Sequence, residues 1–168
     1  MGRSGSSFLG AVLASIQKSI YFFEPSFSIE KRMSFLKKEK LLESLKQMFR
    51  CNISGKFYKQ FQNKYNFIYY KRNNCSNNHQ CYKMVEINNS CKNSKIRIIK
   101  TIRARLSWLW DLMTTYDLDL KIIHLIRDPR ASYSSYLRAG MPYNRILCNK
   151  TLDDLQSGKI LQKFFPKR

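Results

Sequence analysis

A chain of 168 residues with 31 Lys and Arg against 11 Asp and Glu carries a formal charge of +20, and 43% of its residues are hydrophobic. That length holds one domain, and 10 Tyr and 11 Phe exclude a wholly disordered polycation, a class that lacks aromatic residues. The charge recruits polyanions through its long-range field without choosing among nucleic acid, acidic glycan, anionic membrane and phosphorylated small molecules.

Residues 2–7, Gly-Arg-Ser-Gly-Ser-Ser, form a small polar loop, and Phe8, Leu9, Val12, Leu13 and Ile16 follow at helical spacing, so the loop opens a helix. This apolar run is broken by Gly10 and Ser15 and falls short of the ~18 to 20 residues of a membrane span. Ile20 to Phe23 predicts a short strand closed by Glu24-Pro25, which sets Glu24 at the strand end and, as the residue before proline, outside the helical region. Residues 28–50 predict one or two amphipathic helices with Phe35, Leu42, Leu45 and Phe49 on one face. From Cys51 to Ser94 the pattern weakens into Asn, Lys and Tyr, an irregular surface excursion with one short strand near Met84 to Ile87. Lys95 to Lys100 predicts a strand, Leu106, Leu109, Trp110 and Met113 a helix, and Lys121 to Ile126 a second strand with His124 in the core. Strand, helix and strand in succession make a βαβ unit, so the fold class is α/β with a parallel sheet. Arg127-Asp128-Pro129-Arg130 then turns into a helix over Ala131 to Arg138, and Thr151 to Phe165 gives a last amphipathic helix. In such a sheet, binding residues gather at the carboxyl edge.

The five cysteines, Cys51, Cys75, Cys81, Cys91 and Cys148, contain no C-x-x-C pair, and His79 and His124 stand at no zinc-like spacing to them, which argues against a metal site. Cys75, Cys81 and Cys91 punctuate the Asn-rich stretch, where a covalent staple helps most, so one disulfide is expected among these three in an oxidising compartment. Four N-x-S/T sequons begin at Asn52, Asn74, Asn88 and Asn149 and lean toward a secretory lumen.

Two loops carry the chemistry. The first, Arg3-Ser4-Gly5-Ser6-Ser7-Phe8, has the parts of a phosphate cradle: a permissive glycine, two hydroxyls, backbone N–H groups at a helix start, and a cation. It lacks the Lys before the final hydroxyl of a Walker A loop, which disfavours ATP or GTP hydrolysis; Met1-Gly2 with Ser6 also fits the short N-myristoylation pattern. The second loop offers Arg127 at a strand end and then Ser132, Ser134 and Ser135 in the first turns of a helix, so that Arg127 and Ser135 can grip one phosphate. Two such loops can hold a ligand with phosphate groups at both ends.

The order of Arg-Ser-Gly-Ser-Ser-Phe-Leu-Gly (3–10), Phe-Glu-Pro (23–25), Lys-Thr-Ile-Arg (100–103) and Leu-Ile-Arg-Asp-Pro-Arg-Ala (125–131) resembles the Golgi carbohydrate sulfotransferases, specifically the galactose/N-acetylglucosamine 6-O-sulfotransferase group. The resemblance runs from Arg3 to about Phe165 and is sharp in those short blocks. It implies a P-loop-like three-layer parallel sheet and transfer of a sulfuryl group from 3′-phosphoadenylyl sulfate (PAPS) to a glycan hydroxyl, with no metal. It also implies a lumenal Golgi location for a full-length member. By resemblance Arg3, Ser4, Gly5, Ser6, Ser7 and Phe8 bind the 5′-phosphosulfate, and Arg127 and Ser135 bind the 3′-phosphate. Arg3 stabilises the leaving group. Glu24 is the expected base, since cytosolic relatives use a His after a Lys-Thr pair and here Lys100-Thr101 is followed by Ile102. Lys100 and Arg103 are candidates to contact the cofactor or an anionic glycan.

Members of that group carry a membrane anchor, a stem and an apolar strand leading into the first loop, whereas this chain has only Met1-Gly2 before Arg3, and Leu152 to Arg168 resembles a helix that precedes a further strand. The resemblance therefore implies a single partial domain, incomplete at both ends, with exposed sheet edges and apolar helix faces that argue against stable folding and turnover. Two other readings compete: a non-catalytic basic module for nucleic acid or acidic glycan, with Tyr and Phe available for stacking, and an inactive fragment.

Overall fold

The computed structural model describes residues 4–25, 38–58, 68–69, 84–140 and 146–166. The chain is mixed α/β. Its elements are α1 (Ser6–Ala14), β1 (Ser19–Phe23), α2 (Lys38–Phe49), α3 (Gly55–Tyr58), β2 (Ile68–Tyr69), α4 (Met84–Lys92), β3 (Ile96–Lys100), α5 (Leu106–Thr114), α6 (Pro129–Arg138) and α7 (Ile146–Phe164). Two compact units result: residues 7–103, and residues 104–168 together with residues 1–6.

The unit of residues 7–103 is built on β1. Its strand is fully buried at Ile20, Tyr21 and Phe22, as a central strand of β-branched and aromatic residues requires. β1 pairs in parallel with β3, from Ser19 opposite Ile96 to Phe23 opposite Lys100, and antiparallel with β2, giving the order β2-β1-β3. The strand period of two sends Ile20 and Phe22 to one face, where they meet Met48 of α2, Cys51, Ile53, and Ile87 and Cys91 of α4. Leu41, Leu42, Leu45 and Met48 form the buried stripe of α2, which keeps Leu42 and Leu45 of the predicted face but takes Met48 in place of Phe49, which is only half-buried.

Tyr21 points to the other face, against α1 at Gly10, where a Cβ would overlap the phenol Oη and Cζ. Only glycine lets the helix lie this close. Gly10→Ala is expected to cost about 1–3 kcal/mol of stability, because the fully buried Tyr21 ring has nowhere to retreat. The check is the denaturant midpoint, with Tyr21→Phe, which removes the overlapping hydroxyl, restoring part of the loss.

Three expectations are corrected in residues 51–126. The stretch near Met84 to Ile87 is not a strand but the start of helix α4, which buries Ile87, Ser90 and Cys91 at helical spacing. The Asn88 side chain closes both backbone polar groups of Ile53, accepting from its N–H at 2.9 Å and donating to its carbonyl at 3.1 Å. The disulfide joins Cys91 not to Cys75 or Cys81, which lie outside the described residues, but to Cys51, 40 residues away and inside the apolar core. Finally, Lys121 to Ile126 has no regular secondary structure and joins no strand ladder among the described residues, so the predicted second strand of the βαβ unit is not found there. The parallel pair is β1 and β3 instead, with α2, α3, β2 and α4 in its crossover. His124 is exposed rather than in a core, as are Ile123 and Ile126.

In the unit that holds residues 104–168, α5 packs on α7. The Asp154 carboxylate receives the backbone N–H of Leu106 at 3.0 Å and the Arg105 Nε at 3.2 Å, so α7 supplies the N-terminal cap that α5 lacks in its own sequence. Gly158 brings the helices close, a Cβ there meeting Leu106 Cδ1 at 3.3 Å, and Trp110 stacks edge-on against Phe164 and Phe165 with centroids 5.3 Å away. Helix α7 begins five residues before the predicted Thr151. Phe35 and the 28–37 part of the predicted amphipathic segment lie outside the described residues. Among the described residues no helix is long and apolar enough to cross a membrane.

Candidate functional site

Ser4 and Gly5 lead into α1. Gly5 has φ +89, a conformation that L side chains rarely adopt, and no atom lies within 4 Å of where its Cβ would be. Its turn lets the chain enter the helix at Ser6 with the first-turn N–H groups lacking intrahelical acceptors, which is the geometry of an anion cradle. Ser7 and Phe8 are exposed, Phe8 to 78%. Arg3 lies outside the described residues.

The second loop is preorganised by its own sequence. Asp128 caps α6: its Oδ1 accepts from the Arg130 backbone N–H at 2.8 Å, Pro129 occupies the first turn, and the Arg130 guanidinium folds back onto the same carboxylate at 2.7 Å. These hydrogen bonds from Arg130, side chain first and backbone second, hold the Asp128 carboxyl below its ordinary range. Arg130 is thereby engaged within the cap, while Arg127 stands exposed one residue before it. Ser132 and Ser135 share the buried face of α6, at 1% and 7% exposure. The Ser132 hydroxyl has no hydrogen-bond partner among the described residues, a costly position for a buried polar group. Residues 4–6 fall in the same compact unit as Arg127 and Ser135.

Glu24 ends β1, as predicted. Its backbone N–H donates to the Lys100 carbonyl at 2.8 Å, extending the parallel ladder by one rung. Its φ is +44, in the left-handed region that a non-glycine residue enters at a cost of order 1 kcal/mol. The carboxylate is buried, and each oxygen has its own cation: Lys100 Nζ on Oε1 and Arg103 Nη1 on Oε2. Lys100 also lies 4.5 Å over the Phe23 ring. One carboxylate and two cations leave the cluster with one net positive charge at the carboxyl edge of the β1–β3 pair.

Sequence reasoning placed Lys100 and Arg103 near a ligand and missed that they clamp Glu24. The clamp follows from the parallel register, which sets Phe23 opposite Lys100 and so brings the two strand ends together. The sequence places Ser132 among the helix-start hydroxyls, and the structure shows it buried, without a hydrogen-bond partner among the described residues. No protein-family model matches the chain, and no curated protein or solved structure matches it.

Proposed function

We propose that the chain is of the carbohydrate sulfotransferase type, transferring a sulfuryl group from PAPS to a glycan hydroxyl in the Golgi lumen, on a sheet of the P-loop-like three-layer kind. The supporting observation is that Ser4–Gly5–Ser6, Arg127 and Ser135, far apart in sequence, belong to one compact unit. The residues fit the donor: the left-handed Gly5 opens a helix start toward a phosphosulfate, and Arg127 with Ser135 offers a guanidinium fork and a hydroxyl to a second phosphate. The buried Ser132 hydroxyl supplies a further donor on the same helix face.

PAPS, when bound, brings an activated sulfur whose bond to the departing phosphate oxygen breaks as the acceptor oxygen bonds to it. The protein's part is to align and to compensate charge. Helix-start N–H groups and Arg3 take up the negative charge that develops on the leaving phosphate. Glu24 accepts the acceptor hydroxyl's proton, its carboxylate aimed by Lys100 and Arg103. These two are positioning residues in this reading, in place of direct contacts to cofactor or glycan.

The test is sulfate transfer from PAPS to desulfated glycans bearing galactose or N-acetylglucosamine. Wild-type chain is expected to label the glycan, and Glu24→Gln to lower the rate about 10²–10⁴-fold with PAPS affinity kept. Salt-sensitive glycan or nucleic-acid binding without transfer, unaffected by Arg127→Ala, would point to a basic binding module instead.

A further inference from the structure

We propose that Asn52 carries an N-linked glycan and that Asn88 does not. This rests on the lumenal placement proposed above but not on the sulfotransferase chemistry. The sequence has four sequons, and three of them fall on described residues. An acceptor tripeptide belongs to a surface loop, with its Asn amide and its Ser or Thr hydroxyl both presented to solvent.

Asn52-Ile53-Ser54 meets that requirement. It is the loop between α2 and α3, and its burial alternates: Asn52 and Ser54 are exposed while Ile53 is buried in the core at 2% exposure. With Ile53 turned into the core between them, Asn52 and Ser54 both stand on the outside. The loop is pinned by the Asn52 backbone N–H donating to the Gln47 carbonyl and by the Ser54 backbone N–H donating to Gln47 Oε1, both at 2.9 Å. Neither bond uses the Asn52 side chain.

Asn88-Asn89-Ser90 fails on each count. It lies inside helix α4, where residues two apart point to different faces, and Ser90 is buried. The Asn88 amide is already spent on Ile53, its Nδ2 donating to that carbonyl. A glycan there would replace a hydrogen bond that ties the Asn52 loop itself to α4. Asn149-Lys150-Thr151 is exposed at Asn149 but helical throughout, within α7.

The adjoining Cys51–Cys91 disulfide sets the same compartment requirement, because such a bond forms and persists where the environment oxidises thiols. In the step itself, Asn52 Nδ2 forms a bond to C1 of an oligosaccharide held on a lipid diphosphate. The C1–O bond breaks with its electron pair going to the diphosphate, and the amide nitrogen releases one proton.

The full chain, directed to the secretory lumen of eukaryotic cells behind a cleavable signal, is digested after treatment with peptide-N-glycosidase in heavy-oxygen water. The peptide spanning Asn52 is expected to carry the Asn-to-Asp label and the peptide spanning Asn88 to remain unlabelled. Ser54→Thr should keep the Asn52 label and Ser54→Ala should abolish it, read on total lumenal protein so that secretion is not required. An unlabelled Asn52 in the wild-type chain, or a labelled Asn88, overturns the proposal. Binding of adenosine 3′,5′-bisphosphate by the same preparation reports separately on the sulfotransferase reading.

Discussion

Glu24→Ala is expected to destabilise the unit of residues 7–103 by about 3–5 kcal/mol, the range for breaking a buried ion pair and stranding its partners. Lys100 and Arg103 are 10% and 15% exposed at the side chain, so water cannot replace the lost carboxylate, and two like charges would be left facing each other. Coulomb repulsion and desolvation then act in the same direction. Triple replacement of Glu24, Lys100 and Arg103 by apolar residues of similar size should recover much of the loss, because a buried charge cluster is weak evidence of net stability. Urea denaturation followed by far-ultraviolet circular dichroism measures this. A loss below about 1 kcal/mol would mean that the cluster behaves as a screened surface pair.

Reduction of Cys51–Cys91 is the second large effect. The cross-link spans 40 residues, and the chain-entropy relation assigns a loop of that length about 4 kcal/mol. The bond also fixes the core, since both half-cystines sit among Ile20, Phe22, Met48, Ile53 and Ile87. Replacing both cysteines with alanine should reproduce the loss seen with reductant and make the chain insensitive to it. Equal midpoints with and without reductant would contradict the pairing.

Elements whose pattern is local were legible in the sequence. The α1 run, the strand at Ile20 to Phe23, the amphipathic helix over α2 and the strand ending at Lys100 each follow from residue spacing and are found where expected, although the buried face of α2 uses Met48 where Phe49 is predicted. Glu24 was placed correctly because proline and a β-prone run bracket it. What escaped depends on partners distant in sequence. Met84 to Lys92 has mixed composition, and only the contacts of Ile87, Asn88 and Cys91 with β1 and the 51–53 loop make a helix the stable choice. Lys121 to Ile126 has strand composition, yet composition cannot supply a neighbour to pair with. The Cys51–Cys91 bond was missed because spacing favoured the clustered cysteines, whereas the fold selects by proximity, here a Cα–Cα distance of 5.3 Å. At the site, the hydroxyls and Arg127 could be named from sequence, but the double clamp on Glu24 needed the parallel register.

The central proposal, that residues 4–6 and the Arg127–Ser135 loop grip opposite ends of one nucleotide, is tested most directly by calorimetric titration of the chain with adenosine 3′,5′-bisphosphate. Saturable binding to wild type is expected, weakened at least about tenfold by Arg127→Ala and by Ser135→Ala, with adenosine 5′-monophosphate binding far less tightly because it lacks the 3′-phosphate. Absence of binding to the folded wild-type chain, or affinity that is unchanged by both substitutions and falls only with salt, would contradict it.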